Sequence, residues 1–370
     1  MPKLSVMTVV GTRPEIIRLS SLITLLDSVT SHKLVHTGQN SDRELNQVFF
    51  EDLGLRLPDI YLNVDTSSMG TVMGQTLMKI EELLIADRPD ALMILGDTNS
   101  AIASIVAERM QIPVYHMEAG NRSYDANVPE EFNRRMVDHA SSFNLPYNSH
   151  SRANLEREGI HPRFICVTGS PIPEVFRAQA EKVQNSKILD ALELVPRNYI
   201  LASLHRQENV DEVSSLAQIM QALDQIALEF DRDVILSTHP RTRARLGEFG
   251  LSTSKRIRME KPFSFSDYNR LQMDAYCVIS DSGTISEEAS ILGFPAVSLR
   301  ESFERPEAFG TASISLTGLS ADSIIRNISW AVDRKPTGLP EGYDQEHFSK
   351  IVVNFLFSTV HLHKVWKNIR

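Results

Sequence analysis

Two doubly wound α/β domains facing each other across a cleft are predicted, on three observations. Short β-rich apolar runs alternate with longer amphipathic stretches, the pattern by which βαβ units feed a parallel sheet. That rhythm stops near residue 167 and restarts near residue 199. The 370 residues exceed a typical domain of roughly 150, enough for two compact units with cores of their own. No repeat of solenoid period and no low-complexity tract interrupts the pattern.

In the first half, strands are expected over 4–10, 33–36, 91–95, 114–116, 143–145 and 164–167, and helices over 15–26, 43–53, 71–86, 100–110 and 130–140. In the second, strands are expected over 199–203, 234–237, 277–279 and 296–299, and helices over 213–230, 266–273, 285–292 and 321–332. Thr168-Gly169-Ser170-Pro171-Ile172-Pro173, with one Gly and two Pro where the rhythms meet, is read as the hinge. A local loop fits the same residues. The apolar stretch 348–366 reads as a helix beyond the second domain, packing back across the first.

Thirty-eight Lys and Arg against 47 Asp and Glu give a net charge of −9, without the basic field that polyanion binding needs, so no nucleic-acid partner is expected. Hydrophobic (42%) and charged (23%) fractions are those of a globular enzyme rather than a disordered or fibrous chain. Cys166 and Cys277, far apart and without ligand spacing, argue against a disulfide framework or structural zinc and for a reducing cytoplasm. The first residues lack the form of a secretory signal, and no segment approaches about 18 apolar residues, so no membrane association is expected.

The first strand runs into Gly11-Thr12-Arg13-Pro14-Glu15, where Gly permits a tight turn and Pro suits the first helical position. Arg13 then stands at a helix N-terminus over the sheet's carboxyl edge. There a phosphate could meet its guanidinium and free backbone N–H groups. An ordinary βα turn with a solvated Arg fits equally, and the spacing is not that of a dinucleotide fingerprint. The next two central strands end in Gly96-Asp97-Thr98 and Glu118-Ala119-Gly120, placing two carboxylates on the ligand edge of one sheet. Asp97 also suits an N-cap, and Glu130 and Glu131, after Pro129 at a helix start, suit the macrodipole.

In the second half, His205 follows a strand end and can donate, accept or carry a proton near neutral pH, or be a surface His. Ser280-Asp281-Ser282-Gly283-Thr284-Ile285 joins a buried strand to a helix carrying Glu287 and Glu288 in its first turn. Small residues opening a helix can hold a diphosphate through backbone N–H groups, and an acid one turn in can bind a ribose diol. Capping by Ser282 explains part of this pattern but not the later Arg305-Pro306-Glu307.

These blocks, together with Thr37-Gly38-Gln39, Pro129-Glu130-Glu131-Phe132-Asn133-Arg134, His205-Arg206 and Glu304-Arg305-Pro306-Glu307, resemble in their order the non-hydrolysing UDP-N-acetylglucosamine 2-epimerase family. The resemblance implies an isomerase with two Rossmann-like domains in a glycosyltransferase-B-like fold, dimeric, using neither cofactor nor metal. It implies acids in a first domain over 1–169, UDP in a second over 170–347, and a returning helix over 348–370. Residue by residue, it implies catalytic roles for Asp97, Glu118, Glu130 and His205. UDP-sugar contacts are implied at Arg13, Arg18, Tyr268 against the uracil, Ser282, Gly283, Thr284, Glu288 on the ribose, and Arg305. The chain departs from the family at Arg18, where relatives have Lys; at Thr284, where many have a second Gly; and at Asn40, where classical members have His.

Three runs, 11–20, 116–122 and 203–210, look most like the branch making UDP-N-acetyl-L-fucosamine from UDP-2-acetamido-2,6-dideoxy-L-talose for capsule or O-antigen lipopolysaccharide synthesis. The alternatives are the UDP-N-acetylglucosamine/UDP-N-acetylmannosamine reaction and a UDP-sugar glycosyltransferase. The carbon-2 proton has no adjacent carbonyl to acidify it. The expected route is therefore anti elimination of UDP to a glycal, followed by re-addition after protonation of the opposite face.

Overall fold

The computed structural model describes residues 3–38, 49–204, 206–238, 240–251, 254–301, 304–334 and 336–369. The chain divides into two compact units, Met1–Ala178 with Asp344–Arg370, and Gln179–Tyr343.

The first unit is built on a six-stranded sheet in the order β3-β2-β1-β4-β5-β6. Its strands are β1 (Ser5–Val10), β2 (Ser31–His36), β3 (Ile60–Tyr61), β4 (Ala91–Leu95), β5 (Val114–Met117) and β6 (Phe143–Leu145), all paired in parallel. β1 and β4 are near-continuous apolar runs, buried along their length, because a parallel sheet is covered on both faces. The chain starts in the middle, steps outward to β2 and β3, then crosses to β4 on the other side of β1. The switch point thus lies between β1 and β4, where ligands gather in open sheets of this type. The C-terminal helix Phe348–Thr359 belongs to this unit: Phe355 stands edge-on to Phe143 at 5.5 Å, Tyr115 pairs with Thr359 through hydroxyls at 2.8 Å, and Ser349 N–H donates to Glu174.

The second unit has five parallel strands, β7 (Tyr199–Leu204), β8 (Asp233–Thr238), β9 (Ile257–Glu260), β10 (Cys277–Ser280) and β11 (Ala296–Ser298), in the order β11-β10-β7-β8-β9. Alternation splits each strand between two cores. Ile200, Ala202 and Leu204 meet Leu216, Ile219, Leu223 and Ile328 from the helices Val213–Glu229 and Ala321–Asp333. Tyr199 and Leu201 meet Leu271, Ile285 and Ala289 from Phe265–Asp274 and Ile285–Leu292 on the other face. The switch point lies between β7 and β10.

Several expected elements differ. Residues 164–167 form no strand: Pro162–Phe164 is a 3₁₀ turn, and Ile165 makes one isolated bridge to Asn144. β3 and β9 lie at sheet edges, too short or too polar to stand out in the sequence. Helices Ser149–Arg157, Ile172–Asn185 and Pro240–Glu248 were absent from the sequence reading. The stretch 100–110 is a 3₁₀ turn, Asn99–Ile102, followed by the helix Ala103–Arg109. Of the expected helix 43–53, residues 43–48 lie outside the described residues. Helix Ile172–Asn185 starts inside the loop read as the hinge, and the two units part within it. Among the described residues no helix is long and apolar enough to cross a membrane.

Candidate active site

One buried carboxylate braces the first unit's switch point. Glu15, in the first turn of the helix Arg13–Val29, accepts Gly11 N–H at 2.7 Å and Thr12 N–H at 2.6 Å on one oxygen. Its other oxygen takes the hydroxyls of Thr98, at 2.9 Å, and Ser100. The turn after β1 is thereby tied to the turn after β4. Burial raises the Glu15 pKa, against the opposing pull of these donors. Arg13, on the same turn, is exposed, its guanidinium 5.1 Å from the Phe49 ring centroid.

Asp97 follows β4 and is gripped by Arg134, from Nε at 3.0 Å and Nη2 at 2.5 Å, while Asn133 Nδ2 donates to its backbone carbonyl at 3.0 Å. Arg134 Nη1 also reaches Glu131 at 3.1 Å, and Glu131 accepts Ser123 N–H at 2.8 Å. Burial pushes the Glu131 carboxyl up, but the Ser123 N–H and the Arg134 charge outweigh it and hold it below the usual range. The sequence pair therefore separates: Glu131 is buried and orients Arg134, whereas Glu130 is exposed on the first turn of the helix Pro129–His139.

Glu118 follows β5 in the left-handed region, φ 64°, an uncommon and strained state for a residue with a side chain. Its Oε2 receives Arg18 Nη1 at 2.9 Å and the Tyr147 hydroxyl at 3.2 Å, and Oε1 receives Asn121 Nδ2 at 3.3 Å. A Cβ placed on Gly96 would lie 4.0 Å from Oε2, so the carboxylate overhangs the turn that carries Asp97. Arg18 is buried against Tyr147, engaged with the acid it neighbours. Beneath this turn, Asp138 lies between Arg122 Nη2 at 2.7 Å and His116 Nδ1 at 3.0 Å, with all three side chains fully buried. The chain passes so close at Gly120, φ 80°, that a Cβ there would meet Ser151 O at 2.2 Å.

In the second unit, Asp281 is fully buried and accepts Arg206 N–H and Asn209 Nδ2, each at 3.1 Å, fixing the β7 and β10 ends together. Ser282 and Thr284 share a hydroxyl bond at 2.9 Å, and Thr284 Oγ1 donates to Glu288 at 2.8 Å. Gln272 Nε2 holds the other oxygen of Glu288 at 2.7 Å. Tyr268 packs partly buried against the apolar cluster containing Leu271 and Ala289. Arg305 is buried, 3.2 Å from fully buried Glu287. His205 lies outside the described residues. Among the described residues no group of three or more His, Cys, Asp and Glu could hold a metal.

The sequence reading assigned no role to Arg134, Tyr147, Asn121 or the Arg122–Asp138 pair. Arg134 follows Glu131 by three positions and so lies on the same helix face, a spacing visible in the sequence.

A family model described as UDP-N-acetylglucosamine 2-epimerase matches residues 26–356. The UDP-N-acetylglucosamine 2-epimerase of Methanocaldococcus jannaschii is 35% identical over 342 residues, covering 90% of this chain and 93% of the relative. The UDP-2,3-diacetamido-2,3-dideoxy-D-glucuronate 2-epimerase of Pseudomonas aeruginosa is 30% identical, covering 88% and 91%. Among solved structures, a UDP-N-acetylglucosamine 2-epimerase from Rickettsia bellii superposes with a TM-score of 0.91 at 40% identity, covering 98% of this chain and 99% of the other. The M. jannaschii enzyme in complex with UDP-GlcNAc and UDP superposes at 0.89, with 32% identity, covering 95% and 99%.

Proposed function

Because the chain belongs to the UDP-N-acetylglucosamine 2-epimerase family, we propose that it inverts carbon 2 of a UDP-linked 2-acetamido sugar and releases it still linked to UDP. One observation carries this reading: Asp97 and Glu118 end adjacent strands on one sheet edge, the second in a strained backbone state, each gripped by an arginine. The UDP-GlcNAc and UDP held by the M. jannaschii relative support the substrate class.

In this reading one carboxylate takes the carbon-2 proton as UDP leaves carbon 1, and an acid of the same set returns a proton to the opposite face before UDP re-adds. Asp97, Glu118 and Glu130, the last exposed at its helix start, form that set, with His205 assisting proton transfer or stabilising the leaving group. Arg18 is always protonated, so it positions Glu118 and leaves the proton to the acids. Arg13 and the N–H groups of the Ser282–Thr284 turn meet the diphosphate, which carries the largest charge to develop. Tyr268 stacks on the uracil, and Glu288 takes the ribose.

For the sugar we favour UDP-2-acetamido-2,6-dideoxy-L-talose going to UDP-N-acetyl-L-fucosamine, on the likeness of runs 11–20, 116–122 and 203–210 to that branch. The second reading, interconversion of UDP-N-acetylglucosamine and UDP-N-acetylmannosamine, is favoured by the activities for which relatives at 33% and 35% identity are named. Incubating the protein separately with both substrates and resolving the products chromatographically decides between them. A glycosyltransferase would consume either sugar only with an acceptor present.

The UDP assignment gives a direct expectation for Arg13. Arg13→Ala weakens UDP about 10- to 100-fold, the loss of one or two charge-assisted hydrogen bonds, and leaves uridine within about twofold. Titration calorimetry with the two ligands checks it; equal losses would place Arg13 outside the diphosphate site.

A further inference from the structure

β10 and β11 pair in parallel with Ser280 opposite Ser298. Two residues beyond that pair stand Ser282 on one strand's extension and Arg300 on the other's, so Arg300 emerges level with the turn that opens the helix Ile285–Leu292. Its guanidinium occupies the side-chain space Gly283 leaves open: a Cβ at Gly283 would lie 3.2 Å from Arg300 Nη1. The side chain is 3% exposed, and Nη2 donates to Glu304 at 2.6 Å. Nη1 and Nε are buried and have no hydrogen-bond partner among the described residues.

Interior N–H groups without acceptors oppose folding, and two on one charged group are unusual in a settled core. The guanidinium fork matches oxygens of a phosphate, and Glu304 holds it against the turn. We propose that Arg300 is a diphosphate-binding residue, whose Nη1 and Nε bonds are completed by phosphate oxygens of the nucleotide seated over Ser282–Thr284. The proposal rests on the UDP-sugar reading above and adds Arg300 to the groups that meet the diphosphate. It also bears on glycine at 283, where a Cβ would make the guanidinium give way by a few tenths of an ångström.

The test is titration calorimetry of the full chain with UDP and with uridine. Arg300→Met is expected to weaken UDP about 10- to 100-fold and leave uridine within about twofold. Arg300→Lys is expected to lose less, because an ammonium keeps the charge without the fork. Should Arg300→Met not fold, the double variant Arg300→Met/Glu304→Gln, which removes both charges of the buried pair, takes its place. UDP affinity within about twofold of the unaltered chain in the folded variants, or equal losses for UDP and uridine, overturns the role of Arg300. Failure of the unaltered chain to bind UDP overturns the UDP-sugar reading and this role with it.

Discussion

Asp97→Asn is expected to lower kcat about 10²- to 10⁴-fold, the range for loss of a general acid or base, with UDP affinity within about twofold of the unaltered chain. The amide keeps the shape of the side chain and one oxygen for Arg134, which donates from both Nε and Nη2, so the turn after β4 stays in place. What is lost is the ability to take a proton. Steady-state kinetics paired with UDP calorimetry separates the two effects. Unchanged turnover removes Asp97 from the acid–base set, whereas a parallel loss of UDP affinity gives it a structural role instead.

Asp138→Asn is expected to destabilise the first unit by about 3–5 kcal/mol, the cost of breaking a fully buried ion pair from one side. Asp138 meets Arg122, His116 and Gly120 N–H, and none of the three charged or ring side chains reaches solvent. Arg122 keeps a partner in Glu158 at 2.5 Å, so the loss falls on the inner side, below the Glu118 turn. Urea unfolding followed by circular dichroism measures it; a midpoint equal to that of the unaltered chain contradicts the account of this cluster as the support of Glu118.

The strands that position the site were legible because a central parallel strand is a near-continuous apolar run, complete in β4 and broken only by Ser or Thr in β1 and β10. The residues after those strands were legible for the same reason: a turn fixed by a strand end and a helix start leaves few places for Arg13, Asp97 or Ser282 to go. The edge strand β9, Ile-Arg-Met-Glu, and the polar helix Ser149–Arg157 carry no such run. Partners remote in sequence were hidden. Arg134 is 37 residues from Asp97, Tyr147 is 129 from Arg18, and nothing local to either pair announces the contact. The split of Glu130 from Glu131 is a matter of helix phase: successive residues point about 100° apart, so one turns to Ser123 and Arg134 and its neighbour turns out.

The central claim, that carbon 2 exchanges its proton while the sugar remains on UDP, is tested most directly by incubation with the UDP-sugar substrate in heavy water, followed by mass spectrometry and NMR of the recovered nucleotide sugars. Deuterium is expected at carbon 2 of the UDP-linked epimer, with no free sugar accumulating. Protium retained at carbon 2 of the product, or free sugar appearing in step with UDP, would contradict it.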